Sequence, residues 1–154
     1  MTTTPASHSG ADLAALTVGQ ELARTQHTIT RDTLVRYAGA SGDFNPIHYN
    51  DTAAQDAGLP GVIAHGMLTM GTAISGLLEV IGDPSLVRSY STRFTSPIEV
   101  PATGAVRLEV TAVVGAIDED ARTARVDITA QVDGTKVLGR ARAEIALHTV
   151  AKTA

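Results

Sequence analysis

Gly66-Met67-Leu68-Thr69-Met70-Gly71-Thr72-Ala73-Ile74-Ser75-Gly76-Leu77-Leu78-Glu79-Val80-Ile81 lies in the most apolar stretch of the chain, and its reading decides the fold. Met67, Met70, Gly71, Ile74, Leu77, Leu78 and Ile81 recur at helical spacing, and Gly82-Asp83-Pro84 closes the segment. The spacing predicts one long central helix. Glycines at 66, 71 and 76 each cost about 1 kcal/mol of helix propensity against alanine. Other backbone, or a ligand, is therefore expected to approach this helix closely. Thr69, Thr72, Ser75 and Glu79, with His65 just before them, make the stretch too polar for a membrane span.

Beyond Leu86 the period changes to two. Val106, Leu108, Val110, Ala112 and Val114 alternate with mostly polar neighbours, as do Ala124, Val126, Ile128, Ala130 and Val132. Each run predicts a strand with one buried face. Val137, Ala141, Ala143, Ile145 and Leu147 predict a last strand, and Arg88 to Phe94 an earlier one ended by Pro97. Asp133-Gly134 is a tight-hairpin signal, and Asp118-Glu119-Asp120 supports a longer, solvated hairpin loop. Upstream, Gln20 to Ile29 is a strand candidate. Thr30 then caps a short helix with Asp32 in its first turn, Leu34, Val35, Tyr37 and Ala38 on its apolar side, and Gly39 and Gly42 at its end. Asn50 or Asp51 caps another helix over Thr52 to Ala57 that stops at Gly58. The plan is α+β: a long central helix covered by an antiparallel sheet of about five strands. Such a sheet leaves edges open, so pairing with a second subunit is expected.

The 154 residues fit one domain. We expect a disordered tail over residues 1–15, a single domain over 16–148 and a short tail over 149–154. Met1 to Gly10 has neither a basic start nor an apolar core, so it does not read as a secretory signal. Cysteine is absent, which excludes disulfides and thiolate metal sites. A net charge of -4, no basic run and five aromatic residues (3 Tyr and 2 Phe) argue against nucleic acid. The expectation is a soluble cytoplasmic protein.

Chemistry is specified in two places. Ser41-Gly42-Asp43-Phe44-Asn45-Pro46-Ile47-His48 puts a carboxylate, an amide and an imidazole in one interrupted turn. Pro46 disfavours helix at Asn45, and in a turn the side chains of Asp43 and His48 can share one space as an acid/base pair. Turns select Asp and Asn in any case, so residue types alone favour an ordinary turn with a satisfied histidine. The second place is His65-Gly66, at the start of the central helix. There, unpaired backbone N–H groups could receive a developing oxyanion, and Gly66 permits close approach. Equally, Gly66 could be a packing glycine and His65 a helix-start residue. Asp43, His48 and His65 lack the spacing of a zinc motif, and the glycines form neither a dinucleotide turn nor a phosphate loop, so no metal and no cofactor are expected.

Tyr37-Ala38-Gly39-Ala40-Ser41-Gly42-Asp43-Phe44-Asn45-Pro46-Ile47-His48 and Ala64-His65-Gly66-Met67-Leu68-Thr69-Met70-Gly71 together resemble the two motif blocks of the MaoC-like, R-specific hydratases and dehydratases of the hot-dog fold. Arg93-Phe94-Thr95 and Gly139-Arg140-Ala141 extend the resemblance over roughly Val18 to Leu147. It implies Asp43 and His48 as the catalytic pair, Asn45 holding their turn, the Gly66 amide on a thioester carbonyl, and His65 in support. It also implies a central helix wrapped by a curved sheet, with subunits pairing so that their sheets run on.

The activity so implied is reversible syn elimination of water from a (3R)-3-hydroxyacyl thioester to a trans-2-enoyl thioester. The substrate is then an acyl-ACP or an acyl-CoA. Within the family, similarity to the catalytic subunit type of hydroxyacyl-ACP dehydratase implies fatty acid elongation and a hetero-oligomer with a non-catalytic hot-dog subunit, a homodimer being the alternative. Three rivals stand beside it. A CoA-linked R-specific enoyl hydratase shares the catalytic motif. A thioesterase would need a carboxylate on the central helix, where Glu79 lies too far along. A non-catalytic acyl-binding subunit could dispense with Asp43 and His48.

Overall fold

The computed structural model describes residues 13–147. Of the expected tails, only residues 13–15 fall inside that range. They form a 3-10 turn, Leu13–Ala15, and Leu13 is buried with Leu16 against the core, three residues ahead of the expected domain boundary. The remainder of both tails lies outside the described residues.

Strand β1 (Glu21–Ile29) is followed by α1 (Arg31–Ser41). Thr30 and Thr33 exchange side chain-to-backbone bonds as a capping box, satisfying two amides at the start of α1. Gly42, at φ 77°, ends this helix in the left-handed conformation, whereas Gly39 lies within it. Leu34 and Ala38 are buried but Val35 is exposed, so the apolar side is narrower than its composition suggests. Helix α2 (Asp51–Asp56) starts on the Asn50 side chain, which accepts the Ala53 amide. The central helix α3 spans Gly66–Ile81 and ends on Gly82.

The rest is sheet: β2 (Val87–Phe94), β3 (Val106–Asp118), β4 (Thr123–Val132), the two-residue β5 (Thr135–Lys136) and β6 (Leu138–Ala146). The strands run β1-β3-β4-β6-β2, every pair antiparallel, with β5 returning on β4. Asp133 and Gly134, both at positive φ, make the two-residue turn between β4 and β5. Leu108, Val110, Ala112 and Val114 of β3, Ala124, Val126, Ile128 and Ala130 of β4, and Ala141, Ala143 and Ile145 of β6 are all buried. Helix α3 lies against β1, β3 and β4 and contributes Ala73, Ile74, Leu77 and Ile81 to the same core. This is the hot-dog arrangement that the resemblance implies.

The glycines of α3 divide. A Cβ on Gly76 would stand 2.7 Å from Thr25 Cγ2, so this glycine sets how closely α3 approaches β1. A Cβ on Gly66 would meet the Phe94 ring at 3.0 Å. One on Gly71 would meet nothing within 4 Å, and the expected close approach is not found there. The buried stripe also departs from the apolar pattern at its start. Met67 is exposed, while Thr69 is buried, its hydroxyl donating to the His65 carbonyl.

One long-range pairing was not legible in either periodicity. Residues 62–64 run antiparallel to residues 98–100: the Ala64 amide donates to the Ile98 carbonyl and the Val100 amide to the Val62 carbonyl, both at 2.8 Å. Val62, Ile98 and Val100 are buried there. The pairing fixes the backbone of Ile63 just ahead of α3.

Candidate active site

Residues 41–48 are folded by a relay of short-range bonds. Ser41 Oγ donates to the Tyr37 carbonyl at 2.7 Å and accepts the Asp43 amide. Asp43 Oδ1 accepts the Asn45 amide at 3.2 Å, and Asn45 Oδ1 accepts the Ile47 amide at 3.3 Å. Pro46 then opens a 3-10 turn, Pro46–His48, in which its missing N–H costs nothing. These bonds fold the segment so that Asp43 and His48 come to one side.

His48 is only 8% exposed, and its Nδ1 lies 2.7 Å from the Ile63 carbonyl oxygen. A carbonyl only accepts, so in this bond Nδ1 carries the hydrogen, and in the neutral ring Nε2 keeps its lone pair. Asp43 Oδ2 stands 4.0 Å from that Nε2. The gap exceeds a direct hydrogen bond but suits an oxygen about 2.8 Å from each atom. The Asp43 side chain is half exposed, so the pair opens to solvent on the carboxylate side.

His65 is the N-cap of α3 and is 1% exposed. Its Nε2 lies 3.1 Å from the Asp43 carbonyl oxygen. Its ring stacks on His48 at 3.8 Å between centroids and 23° between planes, and meets Tyr37 at 4.8 Å on a tilt. Burial pushes the His65 pKa below its ordinary value, and a charge on His48 pushes it further the same way; the Asp43 carbonyl and carboxylate oppose this. Nδ1 of His65 is buried without a partner.

Asp43, His48 and His65 bring three ligand-type atoms within 4.8 Å of one another. Stacked imidazoles, however, direct their in-plane lone pairs side by side rather than toward one point. The bonds to the Ile63 and Asp43 carbonyls leave His48 Nε2 and His65 Nδ1 as the lone-pair nitrogens, and rings stacked at 23° do not aim these two at one tetrahedral centre.

No side chain caps the start of α3, and the first amide to find its intrahelical carbonyl is that of Thr69, on His65. The amides of Gly66, Met67 and Leu68 precede that bond, where the helix dipole favours negative charge. A cleft of about 270 Å³ lies between this helix start and His48, with Ile63, Thr69, Phe94 and Leu138 among its walls. Through Ser96, Pro97, Ile98 and Val137 it shares a wall with a wider groove of about 740 Å³ that reaches Arg107 and Asp133. The groove has the greater volume, but the buried polar cluster borders only the smaller cleft. Both lie within the size range of small-molecule sites. Phe44, Tyr49, Met67 and Phe94 are large apolar side chains left exposed.

The structure thus brings Asp43, Asn45, His48, His65 and Gly66 into one neighbourhood. Sequence reasoning missed the Ile63 carbonyl, the Tyr37 ring on His65 and the Phe94 ring on Gly66. Tyr37 carried a signal, since an aromatic with a polar tip is a poor filler for a helix's apolar side. A backbone carbonyl carries none.

A family model described as MaoC like domain matches residues 14–133. Over 75 residues the chain is 45% identical to a 3-hydroxyacyl-thioester dehydratase X of Mycobacterium tuberculosis, covering 49% of this chain and 26% of that protein. It is 33% identical over 89 residues to an (R)-specific enoyl-CoA hydratase of Rhodospirillum rubrum, covering 56% of this chain and 61% of that one. A solved MaoC-like dehydratase superposes with a TM-score of 0.84 at 37% identity, over 89% of this chain and 42% of its own. The unliganded R-hydratase PhaJ1 from Pseudomonas aeruginosa superposes with a TM-score of 0.73 at 27% identity, over 90% of this chain and 86% of its own. The chain spans about a quarter of the length of the mycobacterial relative.

Proposed function

The chain belongs to the MaoC-like domain family, and on that premise we propose that it catalyses the reversible dehydration of (3R)-3-hydroxyacyl thioesters to trans-2-enoyl thioesters. The observation that carries this reading is the 4.0 Å gap between Asp43 Oδ2 and His48 Nε2 beside the uncapped start of α3. A hydroxyl oxygen fits between the two side chains. A thioester carbonyl oxygen fits the Gly66 amide.

In elimination, His48 Nε2 takes the C2 proton while negative charge grows on the carbonyl oxygen, toward which the Gly66 amide and the helix dipole direct positive potential. The C3–O bond breaks, and the Asp43–His48 pair returns a proton to the departing hydroxyl. Water leaves, the double bond forms between C2 and C3, and the pair ends with as many protons as it began. Hydration runs the same steps backward from a water held between the two side chains. Asp43 and His48 act as a coupled pair. Asn45 is the residue that keeps their turn closed.

We assign the chain to fatty acid elongation in the cytoplasm, as the catalytic subunit of a hetero-oligomer whose second hot-dog subunit is non-catalytic. The exposed Phe44, Tyr49, Met67 and Phe94 support a covering subunit. The name of the mycobacterial relative supports the dehydratase direction. The enoyl-CoA hydratase name of the relative from Rhodospirillum rubrum favours, as second reading, a CoA-linked R-specific hydratase, with which we pair the homodimer.

The test is water addition to short- and long-chain trans-2-enoyl-CoA and enoyl-ACP, with product chirality determined, for the chain alone and with candidate partner subunits. An R product formed faster from the ACP substrate and only with a partner supports the first reading. A fully active homodimer on CoA substrates supports the second. Absence of turnover on every thioester, with and without partners, refutes both.

A further inference from the structure

We propose that His65 is a positioning residue for the Asp43–His48 pair, a neutral imidazole that holds the Asp43 backbone by its edge and the His48 ring by its face. The inference rests on the reading of Asp43 and His48 as the reacting pair. It goes beyond that reading in naming what sets their separation.

His65 is a poor choice for everything else its position asks. N-caps are normally Ser, Thr, Asp or Asn, whose side chains accept an amide of the first turn; His65 makes no such bond. It is 1% exposed, where an apolar side chain would avoid desolvating two ring nitrogens. One of those nitrogens, Nδ1, has no partner, and it is the one such buried side-chain nitrogen or oxygen among the described residues. A buried polar atom left unpaired is a cost that another property of the side chain must offset.

The geometry supplies that property. Nε2 faces the Asp43 carbonyl at 3.1 Å, so it carries the ring's hydrogen and donates, which leaves Nδ1 as the lone-pair side. The ring is flanked by Tyr37 of α1 and by His48. Ile63 holds the edge of His48 through Nδ1 but does not fix its tilt. The stacked face of His65 does. One side chain at the head of α3 thereby ties α1, the Asp43 backbone and the His48 ring together, and the 4.0 Å gap is the outcome. A charged His65 would repel a charged His48 across the stack, so the arrangement calls for a neutral ring. The titratable groups that face it are Tyr37, Asp43 and His48, and burial acts in the same direction.

Two substitutions separate edge from face. His65→Gln places an amide nitrogen where Nε2 stands and keeps the donor to Asp43 but removes the flat ring; His65→Phe keeps a stacking face and removes the donor. Misplacement of reacting groups by about an ångström costs on the order of 10²-fold in rate. We expect His65→Phe to lower kcat of enoyl-thioester hydration by roughly 10- to 100-fold with KM changed less than about twofold, and His65→Gln to recover part of the loss. Wild-type kcat in both variants, or equal losses in kcat and in substrate binding, overturns the proposal. Nitrogen-15 NMR of the imidazoles of the full chain gives a readout free of activity and of mutant folding. A neutral Nε2–H tautomer for His65 at pH 6 supports the proposal, and an Nδ1–H tautomer or a charged ring overturns it. A wild-type protein inactive on every thioester refutes the proposed function, while the tautomer remains measurable, so the two failures are distinct.

Discussion

His48 Nε2 and Asp43 Oδ2 face each other across 4.0 Å, the histidine held in the wall of the cleft by the Ile63 carbonyl and the carboxylate half exposed. Neither side chain touches the other directly, so each can be changed while the other's anchor stays. Asp43→Asn keeps an oxygen for the Asn45 amide and should leave the melting temperature nearly unchanged. His48→Gln loses the Nδ1 bond and fills the site less well. Positioned proton transfer supplies about 10²–10⁴ in rate, and each variant is expected to lose kcat of that order in enoyl-thioester hydration. Single-turnover assays with circular dichroism melts check both quantities; turnover at wild-type level in a folded Asp43→Asn protein would falsify the assignment.

The three glycines of α3 predict three different outcomes. Gly71→Ala meets open space and should gain about 1 kcal/mol of helix propensity. Gly76→Ala drives a methyl to 2.7 Å from Thr25 Cγ2 and should destabilise by roughly 1–3 kcal/mol through overpacking. Gly66→Ala pushes on the Phe94 ring, which is 55% exposed and free to give way, so folding survives while the mouth of the cleft is remodelled. With the Gly66 amide as oxyanion donor, its loss of alignment costs up to about 10²-fold in kcat. Urea melts rank the three stabilities, and a Gly66→Ala enzyme of full activity speaks against the oxyanion role.

What could be read in advance was local. The Thr30 cap, the Gly42 stop, the Asp133-Gly134 turn and the alternating faces of β3 and β4 each depend on residues adjacent in sequence, where dihedral preference and side-chain period act directly. The stacking of His48 on His65 and the bond from His48 to Ile63 depend on the pairing of residues 62–64 with 98–100, which neither segment's composition announces. Leu13 falls in the expected tail because the resemblance begins only near Val18, yet its side chain is buried against the core. Gly71 shows the opposite error: a glycine read as a close approach has space around it.

His65 gives stability an acid limb. Its folded-state pKa is lowered, chiefly by burial, whereas in the unfolded chain it titrates near its ordinary value of about 6.5. Above that value both states are neutral and the full contribution is present. As the pH falls below it the unfolded chain takes the proton first, and stability is lost until the pH passes the folded pKa. Thermal melts should decline below about pH 6.5, and His65→Gln should flatten that part of the decline. Identical acid limbs in the two proteins would rule out His65 as its source.

Tyr90 gives the corresponding alkaline limb and tests the attachment of an edge strand to the central helix. Its hydroxyl donates to the Met70 carbonyl at 3.0 Å, linking β2 to α3, and burial pushes its pKa up to about 12. In the unfolded chain the phenol ionises near 10. Below that pH both states are neutral and the contribution is complete; between about 10 and about 12 the unfolded chain releases its proton while the folded one holds it, so stability falls as pH rises. Tyr90→Phe removes the titration together with the bond. It should cost about 1 kcal/mol at neutral pH and make unfolding between those two values less steep in pH than in the wild type. Denaturant melts of both proteins across that range decide the matter. Parallel curves would rule out Tyr90 as the source of that limb, and equal stabilities at neutral pH would show that its hydroxyl is not what ties β2 to the helix.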